Sequence, residues 1–510
     1  MSWPCAALFS LSDKSGVAEF ARALAANGTR IVASGGTAKH LTGAGVKVTP
    51  VEDWTGFPEL LGGRVKTLHP HVHAPILARR SEPGDLAALA ERGVEPIDLV
   101  AVTLYPFEER APELDEAGVV EEIDIGGVAL LRGAAKNYAD VIAIHDPAQY
   151  AEVLKALEAG GTTLGQRRLW AMKTFARTAR YDSAIAGEIA RREAGEEPPP
   201  IHVVALERVR ALRYGGNPHQ PAALYRRAGE AAAIHAEREG KKLSYNNLLD
   251  LHAAVSLCGE FEGAACVIVK HNQPCGVAVA ETLEEAYRAA LESDELSAFG
   301  GVVAFNRRLG RAAAEALAGQ FVECVVAPEF EPEAEDALKS KKNLRLVRLE
   351  KKDVASISPW AVQLVGPWGL LQGETAGEPP PWRCVSRRSP SAQELAGLRF
   401  GWVVVSAARS NATVIARGTQ LIGLGSGQTS RVDAVDVALM KASRAGHDVT
   451  GAVLASDGFF PFADNIEHAA KAGITSVVQP GGSMRDAEVI AACDKHGVAM
   501  MFTDQRTFRH

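Results

Sequence analysis

A lysine and a histidine stand side by side directly after an apolar run in the second half of the sequence. Residues 265–269 are apolar and strand-like, and Lys270 and His271 follow them. In α/β proteins, sites form where strands end. An ammonium group there can stabilise developing negative charge, and an imidazole can move a proton near neutral pH. The pair therefore predicts proton-transfer chemistry; a surface lysine beside a capping histidine is the alternative.

A short glycine loop in the first half of the sequence has the composition of an anion-binding site. Residues 34–37 read SGGT and lie between a predicted strand and a predicted helix, whose N-terminus offers free N–H groups. Ser12 and Lys14 follow the first predicted strand, and residues 64–67 add two cations and a hydroxyl. Together these segments predict a phosphate pocket. A tight turn with solvated surface charges is the alternative.

Three alternating histidines and one broken cysteine motif bear on metal binding. His69, His71 and His73 would share one face of a strand, but no carboxylate or cysteine at ligand spacing accompanies them. Zinc-dependent base deaminases carry a Pro-Cys-x-x-Cys motif. Here Cys275 fills the first cysteine position and Ala278 the second. We therefore expect no metal, and a zinc hydrolase on a deaminase-like fold is disfavoured.

Three further segments have the residue types of a nucleotide or folate site. Residues 213–220 place a cation, a ring and an amide in one loop-like stretch, and residues 423–431 form a glycine-rich loop that ends in arginine. Neither segment has the spacing of a Walker or Rossmann motif. Residues 457–462 hold three phenylalanines, which either pack in a core or hold a flat heteroaromatic ring.

Alternating strand and helix patterns must position these segments. In the N-terminal region the alternation predicts a mainly parallel sheet covered by helices. The pattern of the C-terminal region also predicts an α/β fold. A helix is predicted over residues 17–27, with Gly28 as its C-cap. The predicted strands are residues 6–11, 30–33, 46–51, 97–104, 265–269, 301–305 and 403–406, and a further helix is predicted over residues 283–291.

A charged, proline-rich linker at residues 191–200 separates the two regions. Such a stretch cannot continue a helix and packs poorly, so the domain boundary is predicted there. The predicted domains are residues 1–196 and 197–510. A second polar, proline-rich stretch at residues 373–381 predicts a connector inside the C-terminal region.

The composition excludes several protein classes. Of 510 residues, 47% are hydrophobic and 23% are charged, which is ordinary for a globular protein. The formal net charge of -7 argues against nonspecific nucleic-acid binding, and no apolar run approaches the roughly 20 residues of a membrane span. The seven scattered cysteines fit a reducing compartment, and no signal peptide is expected. We therefore expect a cytoplasmic protein.

Six ordered motifs are spread over nearly the whole chain. They are residues 63–70 (GRVKTLHP), 104–107 (LYPF), 123–127 (IDIGG), 243–247 (LSYNN), 297–301 (SAFGG) and 508–510 (FRH). Together they resemble the bifunctional purine biosynthesis family, in which an inosine monophosphate cyclohydrolase is joined to an aminoimidazole carboxamide ribotide formyltransferase. The resemblance implies a methylglyoxal-synthase-like N-terminal domain and a C-terminal domain of two cytidine-deaminase-like halves.

The resemblance also implies substrates, partners and site residues. It implies 10-formyltetrahydrofolate as cosubstrate, no metal, and a homodimer whose transferase sites use residues from both chains. By position, the residues that resemble the family's cyclohydrolase catalytic group are Lys66, Tyr105, Asp124 and Lys136, and those that resemble its nucleotide contacts are Ser12, Lys14, Ser34, Thr37, Arg64 and Thr67. Lys270 and His271 resemble the transferase pair. The residues that resemble ribotide contacts are Arg213, Tyr214, Glu323, Asn411, Arg431, Phe459, Arg506 and His510, and those that resemble folate-side contacts are Phe299, Phe462 and Asp464.

Three departures from the family pattern lie in the N-terminal domain. Residues 74–75 are Ala-Pro where the family usually has two glycines, Thr103 replaces an asparagine, and Val128 replaces a proline. Taken singly, Asp124 reads as a helix cap and Lys136 as a solvated side chain. A module that senses a nucleotide without converting it is therefore an alternative to the cyclohydrolase, and an assay with formylated ribotide separates the two.

Overall fold

The chain divides into two compact units, Met1–Ala205 and Leu206–His510. Their structure is a computed structural model that describes residues 2–194, 197–227, 235–238, 242–355, 360–373 and 380–510. The predicted linker at residues 191–200 and the predicted connector at residues 373–381 lie partly outside the described residues. None of the described helices combines the length and apolar character needed to cross a membrane.

A five-stranded parallel sheet forms the centre of the first unit. Its strands are β1 (Ala6–Leu11), β2 (Arg30–Ala33), β3 (Val48–Pro50), β4 (Leu99–Thr103) and β5 (Ile142–Ile144). They lie in the order β3-β2-β1-β4-β5, and each neighbouring pair is parallel. Successive residues such as Leu8 and Phe9 are buried in cores on opposite faces of the sheet. The prediction of a mainly parallel sheet is confirmed.

Helices cover both faces of this sheet. Phe20 and Leu24 of the first helix pack on one face, and Leu130 and Leu131 of the eighth pack on the other. The first helix ends at Ala26 with Asn27 as its C-cap, one residue earlier than predicted, and Gly28 follows with φ +85, a conformation that glycine adopts without steric cost. The helices are α1 (Val17–Ala26), α2 (Gly35–Gly43), α3 (Val51–Thr55), α4 (Pro70–Leu77), α5 (Pro83–Ala90), α6 (Phe107–Arg110), α7 (Glu116–Glu121), α8 (Gly126–Lys136), α9 (Tyr150–Glu158) and α10 (Leu164–Ala194), with short 3-10 turns at Leu61–Gly63, Ala111–Glu113 and Pro147–Gln149.

The histidine run begins a helix, so the expectation that its side chains share one strand face is wrong. His69 is the N-cap of α4, and its Nδ1 accepts the N–H of His71 at 3.1 Å. Pro70 occupies the first helical position, where its fixed φ suits the helix. Residues two apart on a helix, such as His71 and His73, do not face each other. Within the described residues, no group of three or more His, Cys, Asp or Glu side chains is arranged to hold a metal.

A twelve-stranded mixed sheet forms the centre of the second unit. The strands of this unit are β6 (Leu206–Leu212), β7 (Ala222–Arg227), β8 (His235–Arg238), β9 (Ala264–Lys270), β10 (Gln273–Ala280), β11 (Val302–Phe305), β12 (Cys324–Ala327), β13 (Arg345–Arg348), β14 (Trp360–Val365), β15 (Trp368–Gly373), β16 (Arg383–Cys384), β17 (Thr413–Arg417), β18 (Gln420–Gly425), β19 (Val453–Ser456), β20 (Ser476–Gln479) and β21 (Ala499–Phe502). The sheet order is β16-β21-β20-β19-β17-β18-β10-β9-β11-β12-β13-β8, while β6-β7 and β14-β15 form separate two-stranded sheets.

The large sheet consists of two halves with the same topology. The β9–β10 hairpin is followed by β11, which is antiparallel to β9, and then by parallel β12 and β13. The β17–β18 hairpin is followed in the same way by β19, β20 and β21. The halves meet where Ala278 of β10 pairs with Gln420 of β18. This arrangement agrees with a domain of two related halves.

Helices flank both halves of this sheet, and one of them replaces a predicted strand. Residues 403–406 are a run of β-branched valines and a serine, but they form the last turn of a long helix that Ser391 and Glu394 start with a capping box. Short apolar runs do not distinguish a strand from a buried helix. The helices are α11 (Tyr245–Cys258), α12 (Leu283–Ser293), α13 (Glu295–Ala298), α14 (Arg311–Ala318), α15 (Pro332–Ala337), α16 (Lys351–Val354), α17 (Ala392–Ser406), α18 (Arg431–Arg444), α19 (Asp464–Ala472) and α20 (Asp486–His496).

Candidate active sites

An open cleft of about 760 Å³ in the first unit is lined by residues that follow β1, β2 and β4. Crevices at the carboxyl ends of parallel strands are where α/β proteins bind ligands. The structure brings together segments that are far apart in the sequence. The cleft is lined by all six predicted nucleotide contacts and by three of the four predicted cyclohydrolase residues: Ser12, Lys14, Ser34, Thr37, Arg64, Thr67, Lys66, Tyr105 and Asp124.

The glycine loop forms the N-terminus of α2. Ser34 is the N-cap, but its hydroxyl lies 3.0 Å from Ser10 Oγ and does not cap the helix. The first N–H groups of a helix have no partner within the helix, and Gly35 and Gly36 line the cleft. This end of α2 therefore offers N–H groups and a positive dipole to an anion.

Two threonine hydroxyls fix the loops at the edge of the cleft. Buried Thr37 accepts the N–H of Leu11 at 2.9 Å, so its side chain anchors α2 to β1. Thr103 accepts the N–H of Asp13 at 2.9 Å and donates to the Asp13 carbonyl at 3.2 Å. The departure at Thr103 thus supports the loop that carries Lys14 into the cleft.

Two glutamates that the sequence did not single out hold Lys66. Its Nζ lies 2.7 Å from Glu59 Oε2 and 3.2 Å from Glu52 Oε1, directly over Gly35. Burial alone would lower the pKa of Lys66, but the hydrogen bonds and charges of the two glutamates outweigh it and raise this pKa. Lys66 is therefore a fixed cation at the centre of the cleft lining.

Arg64 and Thr67 contact the opposite wall of the cleft. Arg64 forms an ion pair with Glu121. The Thr67 hydroxyl lies so close to Gly126 that a β-carbon at Gly126 would stand 2.7 Å from it. This close approach joins the segment that carries Lys66 to the segment that carries Asp124.

Asp124 lies just before α8, at the edge of the cleft. Its Oδ1 accepts the N–H of Gly127 at 2.7 Å, and its own N–H donates to Tyr181 Oη at 2.8 Å. Burial raises the pKa of Asp124, and the Gly127 hydrogen bond offsets part of the rise. Burial also raises the pKa of Tyr105, and the charges of Asp124 and Glu122 add to it. Both groups hold a proton more firmly than usual, which suits a proton relay.

Lys136 lies apart from the other predicted cyclohydrolase residues. It is the last residue of α8, whereas Gly126 at the start of that helix lines the cleft. Ten residues of helix span about 15 Å. Lys136 instead lines a second cavity of about 590 Å³, which shares Asp124 with the cleft and also contacts His73 and Val128. The structure thus connects Lys136 to the cleft only at the segment around Asp124.

In the second unit, Lys270 ends β9 and His271 begins the two-residue turn to β10. His271 and Asn272 have φ +54 and +61, as the central residues of a type I′ hairpin turn require. Lys270 Nζ donates to the carbonyl of Phe299 at 2.7 Å. The predicted transferase pair therefore stands beside a predicted folate contact, and the prediction that it follows a strand is confirmed.

A polar network lies next to this hairpin. Glu323 precedes β12, and its Oε2 accepts Asn247 Nδ2 at 2.8 Å and lies 3.4 Å from Arg345 Nη1. Arg345 was not singled out in the sequence, and Asn247 was noted only within the motif at residues 243–247, because each belongs to an element whose position depends on tertiary packing. Arg213 stacks on the ring of Tyr214, with its guanidinium 5.5 Å from the ring centroid.

Arg431 organises the other half of the second unit. Its Nη1 pairs with Asp457 Oδ1 and donates to Ser456 Oγ at 2.8 Å. Its Nη2 donates to Asn411 Oδ1 at 2.6 Å. Arg431 and Asp457 are buried, so the guanidinium at the end of the glycine-rich loop orients Asn411.

The C-terminal segment packs on the same arginine. Phe508 lies 5.9 Å from the Arg431 guanidinium and 4.9 Å from that of Arg506. The Phe508 ring and the His510 ring are 6.1 Å apart. A β-carbon at Gly458 would stand 2.6 Å from both Arg431 and Phe508, so only glycine fits there.

The aromatic cluster at residues 457–462 is partly buried and partly exposed. Phe460 is fully buried in the core of this half, whereas Phe459 and Phe462 are 43% and 48% exposed. The Arg485 guanidinium lies 4.8 Å from the Phe462 ring centroid. Asp464 begins α19 close by in sequence and is exposed. Two aromatic faces are therefore open to a ligand.

Contacts among the predicted transferase residues define two clusters in the second unit. The lysine–histidine cluster comprises Lys270, its neighbour His271 and Phe299. The arginine cluster comprises Asn411, Arg431, Arg506 and His510, which Phe508 helps to join. The other predicted contacts in this unit are Arg213, Tyr214, Glu323, Phe459, Phe462 and Asp464. The N–H of Arg409 donates to Gln273 Oε1 at 3.0 Å and so joins the hairpin of the first cluster to the segment that precedes Asn411.

Comparisons with known proteins cover both units. A family model described as the AICARFT/IMPCHase bienzyme matches residues 134–441, and one described as an MGS-like domain matches residues 16–129. A curated relative from Persephonella marina, named "Bifunctional purine biosynthesis protein PurH", is 47% identical over 515 residues, which are 99% of this chain and 99% of the relative. A relative of the same name from Chloroflexus aurantiacus is 47% identical over 512 residues, 99% and 98% of the two chains. A solved structure titled "Crystal structure of ForH" is 42% identical, covers 36% of this chain and 96% of its own, and has a TM-score of 0.34.

Proposed function

Because the chain belongs to the AICARFT/IMPCHase bienzyme family, we propose that its two units divide that family's two reactions between them. The resemblance seen in the sequence is confirmed, as are the methylglyoxal-synthase-like N-terminal fold and the activity. The chain transfers a formyl group from 10-formyltetrahydrofolate to 5-aminoimidazole-4-carboxamide ribotide and closes the product to inosine monophosphate. In this proposal residues 1–196 carry the cyclohydrolase and residues 197–510 the formyltransferase.

The convergence of Lys66, Tyr105 and Asp124 on one cleft supports the cyclohydrolase assignment. A fixed cation and two groups whose pKa values are raised have the properties needed to close a ring with loss of water. The N-terminus of α2 would bind the phosphate of the nucleotide. The proposed nucleotide contacts are Ser12, Lys14, Ser34, Thr37, Arg64 and Thr67.

Ring closure needs a nucleophile that is intrinsically poor. The carboxamide nitrogen attacks the formyl carbon, so a nitrogen–carbon bond forms while Lys66 polarises the formyl oxygen. The carboxamide nitrogen gives up one proton through the relay of Tyr105 and Asp124 to the formyl oxygen, which becomes a hydroxyl. The formamide nitrogen gives up a second proton, the carbon–oxygen bond breaks, and water leaves as a carbon–nitrogen double bond forms. Because amide nitrogen is a weak nucleophile, positioning must supply much of the rate.

Lys136 is the least supported member of this group. It is assigned by resemblance, and the cavity that it lines meets the cleft at Asp124. We therefore place Lys136 behind Asp124, as a group that exchanges a proton with the relay and does not contact the formyl carbon. Its role stays a prediction.

Formylated ribotide supplied directly to the enzyme tests the cyclohydrolase assignment. Lys66→Ala should lower the cyclisation rate at least about 100-fold, because it removes the fixed cation. Lys47→Ala is the matched control, since Lys47 is an exposed lysine of the same unit that does not line the cleft. Equal rates for the two variants would refute the assignment and favour a nucleotide-sensing module.

The placement of Lys270 and His271 beside Phe299 supports the transferase assignment. The acceptor amine is conjugated with its imidazole ring and is a weak nucleophile. As it attacks the formyl carbon, His271 accepts its proton and a nitrogen–carbon bond forms. Lys270 stabilises the oxyanion and then assists the folate nitrogen, which takes up a proton as its bond to the formyl carbon breaks.

The remaining transferase residues are proposed as substrate contacts. Arg213, Arg431 and Arg506 provide the cations that a ribotide phosphate needs, although the contacts of Arg431 make it an orienting group for Asn411. Phe299 and Phe462 provide exposed rings for a flat folate ring. The proposed ribotide contacts are Arg213, Tyr214, Glu323, Asn411, Arg431, Phe459, Arg506 and His510, and the proposed folate-side contacts are Phe299, Phe462 and Asp464.

We propose a cytoplasmic homodimer in which each transferase site combines residues of both copies. Two separate two-stranded sheets support dimerisation, because such hairpins are marginally stable alone and these expose apolar side chains. Trp368 and Leu364 are 69% and 81% exposed in one hairpin, and Leu206 is 56% exposed in the other. All seven cysteines are unpaired, which supports a reducing compartment.

A mixture of two inactive variants tests whether the sites are shared. Lys270→Ala disables the lysine–histidine cluster and Arg506→Ala disables the arginine cluster. If each site pairs one cluster from each copy, mixed dimers contain one intact site, and statistical exchange restores about a quarter of the wild-type activity. If both clusters of one chain form one site, mixing restores none.

A further inference from the structure

The turn that carries the proposed transferase pair has an unusual backbone. His271 and Asn272 both have positive φ, and neither is glycine. Non-glycine residues adopt positive φ in only a few per cent of cases, although asparagine and histidine do so more often than most. Such a conformation persists when the surrounding structure holds it in place. The residues that hold this turn therefore decide where Lys270 and His271 stand.

Asp250, which lies outside the hairpin, holds the turn through its side chain. It lies on α11, which packs against β9. Its Oδ1 accepts the N–H of Asn272 at 2.6 Å. Because the bond reaches the backbone of the second turn residue, it fixes the peptide that follows His271.

The Asp250 carboxylate is half-buried and interacts electrostatically with His271. Burial raises the pKa of Asp250, while the Asn272 hydrogen bond and the interaction with His271 lower it in part. The charge of Glu323 raises it. A half-buried carboxylate thus supports the turn through the backbone and lies within electrostatic range of the imidazole.

We propose that Asp250 is a positioning residue for formyl transfer, which holds the hairpin turn so that Lys270 and His271 face the reacting atoms together. This inference rests on the proposed role of that pair. The Phe299 carbonyl accepts a hydrogen bond from Lys270 Nζ and so holds the lysine side chain. Asp250 would fix the backbone next to His271, the other member of the pair.

The proposal predicts a loss in turnover and not in binding. Asp250→Ala removes the acceptor, so the turn relaxes, and a misplacement of about 1 Å lowers kcat about 100-fold. The KM for the ribotide should change less than about threefold, because the ribotide contacts are elsewhere. Asp250→Asn keeps a carbonyl oxygen at the same place and should restore kcat to within about tenfold of the wild type.

The experiment measures kcat and KM of the full-length protein with ribotide and 10-formyltetrahydrofolate, together with the melting temperature. Asn306→Ala is the matched control. Asn306 anchors the other end of β9, where its Oδ1 accepts the N–H of Ala265 at 2.9 Å. Ala265 lies about 17 Å along the strand from Lys270. This variant should lower the melting temperature and leave kcat unchanged.

His271→Asn is measured in parallel, so that two failures can be told apart. If His271→Asn retains the wild-type kcat, the proposed role of the pair is wrong. If His271→Asn loses activity but Asp250→Ala retains it, only the positioning role is wrong. The positioning role is also refuted if Asp250→Asn loses as much kcat as Asp250→Ala, or if Asn306→Ala lowers kcat equally.

Discussion

The ammonium group of Lys66 lies against the backbone of Gly35: a β-carbon added at Gly35 would stand 2.6 Å from Lys66 Nζ. The contact brings together a glycine loop after β2 and a basic segment before α4, two features that the sequence presents separately. A side chain at position 35 would displace this ammonium group, so the position of Lys66 Nζ depends on glycine at position 35.

Gly35→Ala should therefore disable the cleft without unfolding it. The φ of Gly35 is not positive and Nζ is the far end of a flexible chain, so the lysine moves and the backbone stays. The cyclisation of formylated ribotide should slow at least about tenfold. Gly43→Ala in the same helix meets nothing within 4 Å and serves as the control. Equal cyclisation rates in the two variants would contradict the central placement of Lys66.

Asp124→Asn should stabilise the first unit while it slows the cyclisation. Burial raises the folded-state pKa of Asp124 above the ordinary value of 3.8, so ionisation at neutral pH costs folding free energy. An uncharged asparagine avoids this cost and can still accept the hydrogen bond from the N–H of Gly127. The gain should be present at pH 7 and disappear as the pH falls below 3.8, where both the folded and the unfolded state bind the proton. Thermal unfolding across this range measures it, and a gain that persists in acid would point to another cause.

His271→Asn should abolish formyl transfer and leave the hairpin intact. Asparagine adopts positive φ readily, whereas the imidazole that accepts the proton is lost. We expect a loss of about 100-fold or more in kcat, with little change in melting temperature. His271→Val, whose branched side chain resists this backbone conformation, should lose both activity and stability. A His271→Asn enzyme as active as the wild type would remove this residue from the mechanism.

Arg431→Ala should destabilise the second unit strongly. Its partner Asp457 is fully buried, so removing the guanidinium leaves an unpaired interior charge, at a cost of about 3–5 kcal/mol in the free energy of unfolding. Arg431→Ala combined with Asp457→Leu should recover part of that loss. Denaturant unfolding of the three proteins measures both effects. If Arg431→Ala is as stable as the wild type, the Arg431–Asp457 ion pair does not stabilise the second unit.

The sequence is informative about the N-terminal cleft because of a topological rule. Ser12 and Ser34 follow strands directly, and Tyr105 comes two residues after β4. Parallel strands place their carboxyl ends on one edge of a sheet. The strands predicted at residues 6–11 and 30–33 have the same bounds in the structure. They are easy to recognise because they are short and mostly apolar and each is followed by a serine.

Other features depend on tertiary structure that no local pattern encodes. Whether Lys136 meets the cleft depends on which end of α8 faces it. The pairing of Lys66 with Glu52 and Glu59 and the contact of Tyr181 with Asp124 join separate segments. Residues 403–406 favour a strand by composition, yet a helix that starts at Ala392 includes them. Tertiary packing overrides local preference there.

The most direct measurement of the central claim follows tetrahydrofolate release and inosine monophosphate formation in one reaction started with ribotide and 10-formyltetrahydrofolate. With Lys66→Ala, tetrahydrofolate should appear at the wild-type rate while formylated ribotide accumulates. With Lys270→Ala, neither product should form from the ribotide, but added formylated ribotide should still cyclise. If either substitution abolished both reactions when each is supplied with its own substrate, two separate sites could not be the basis of the activity.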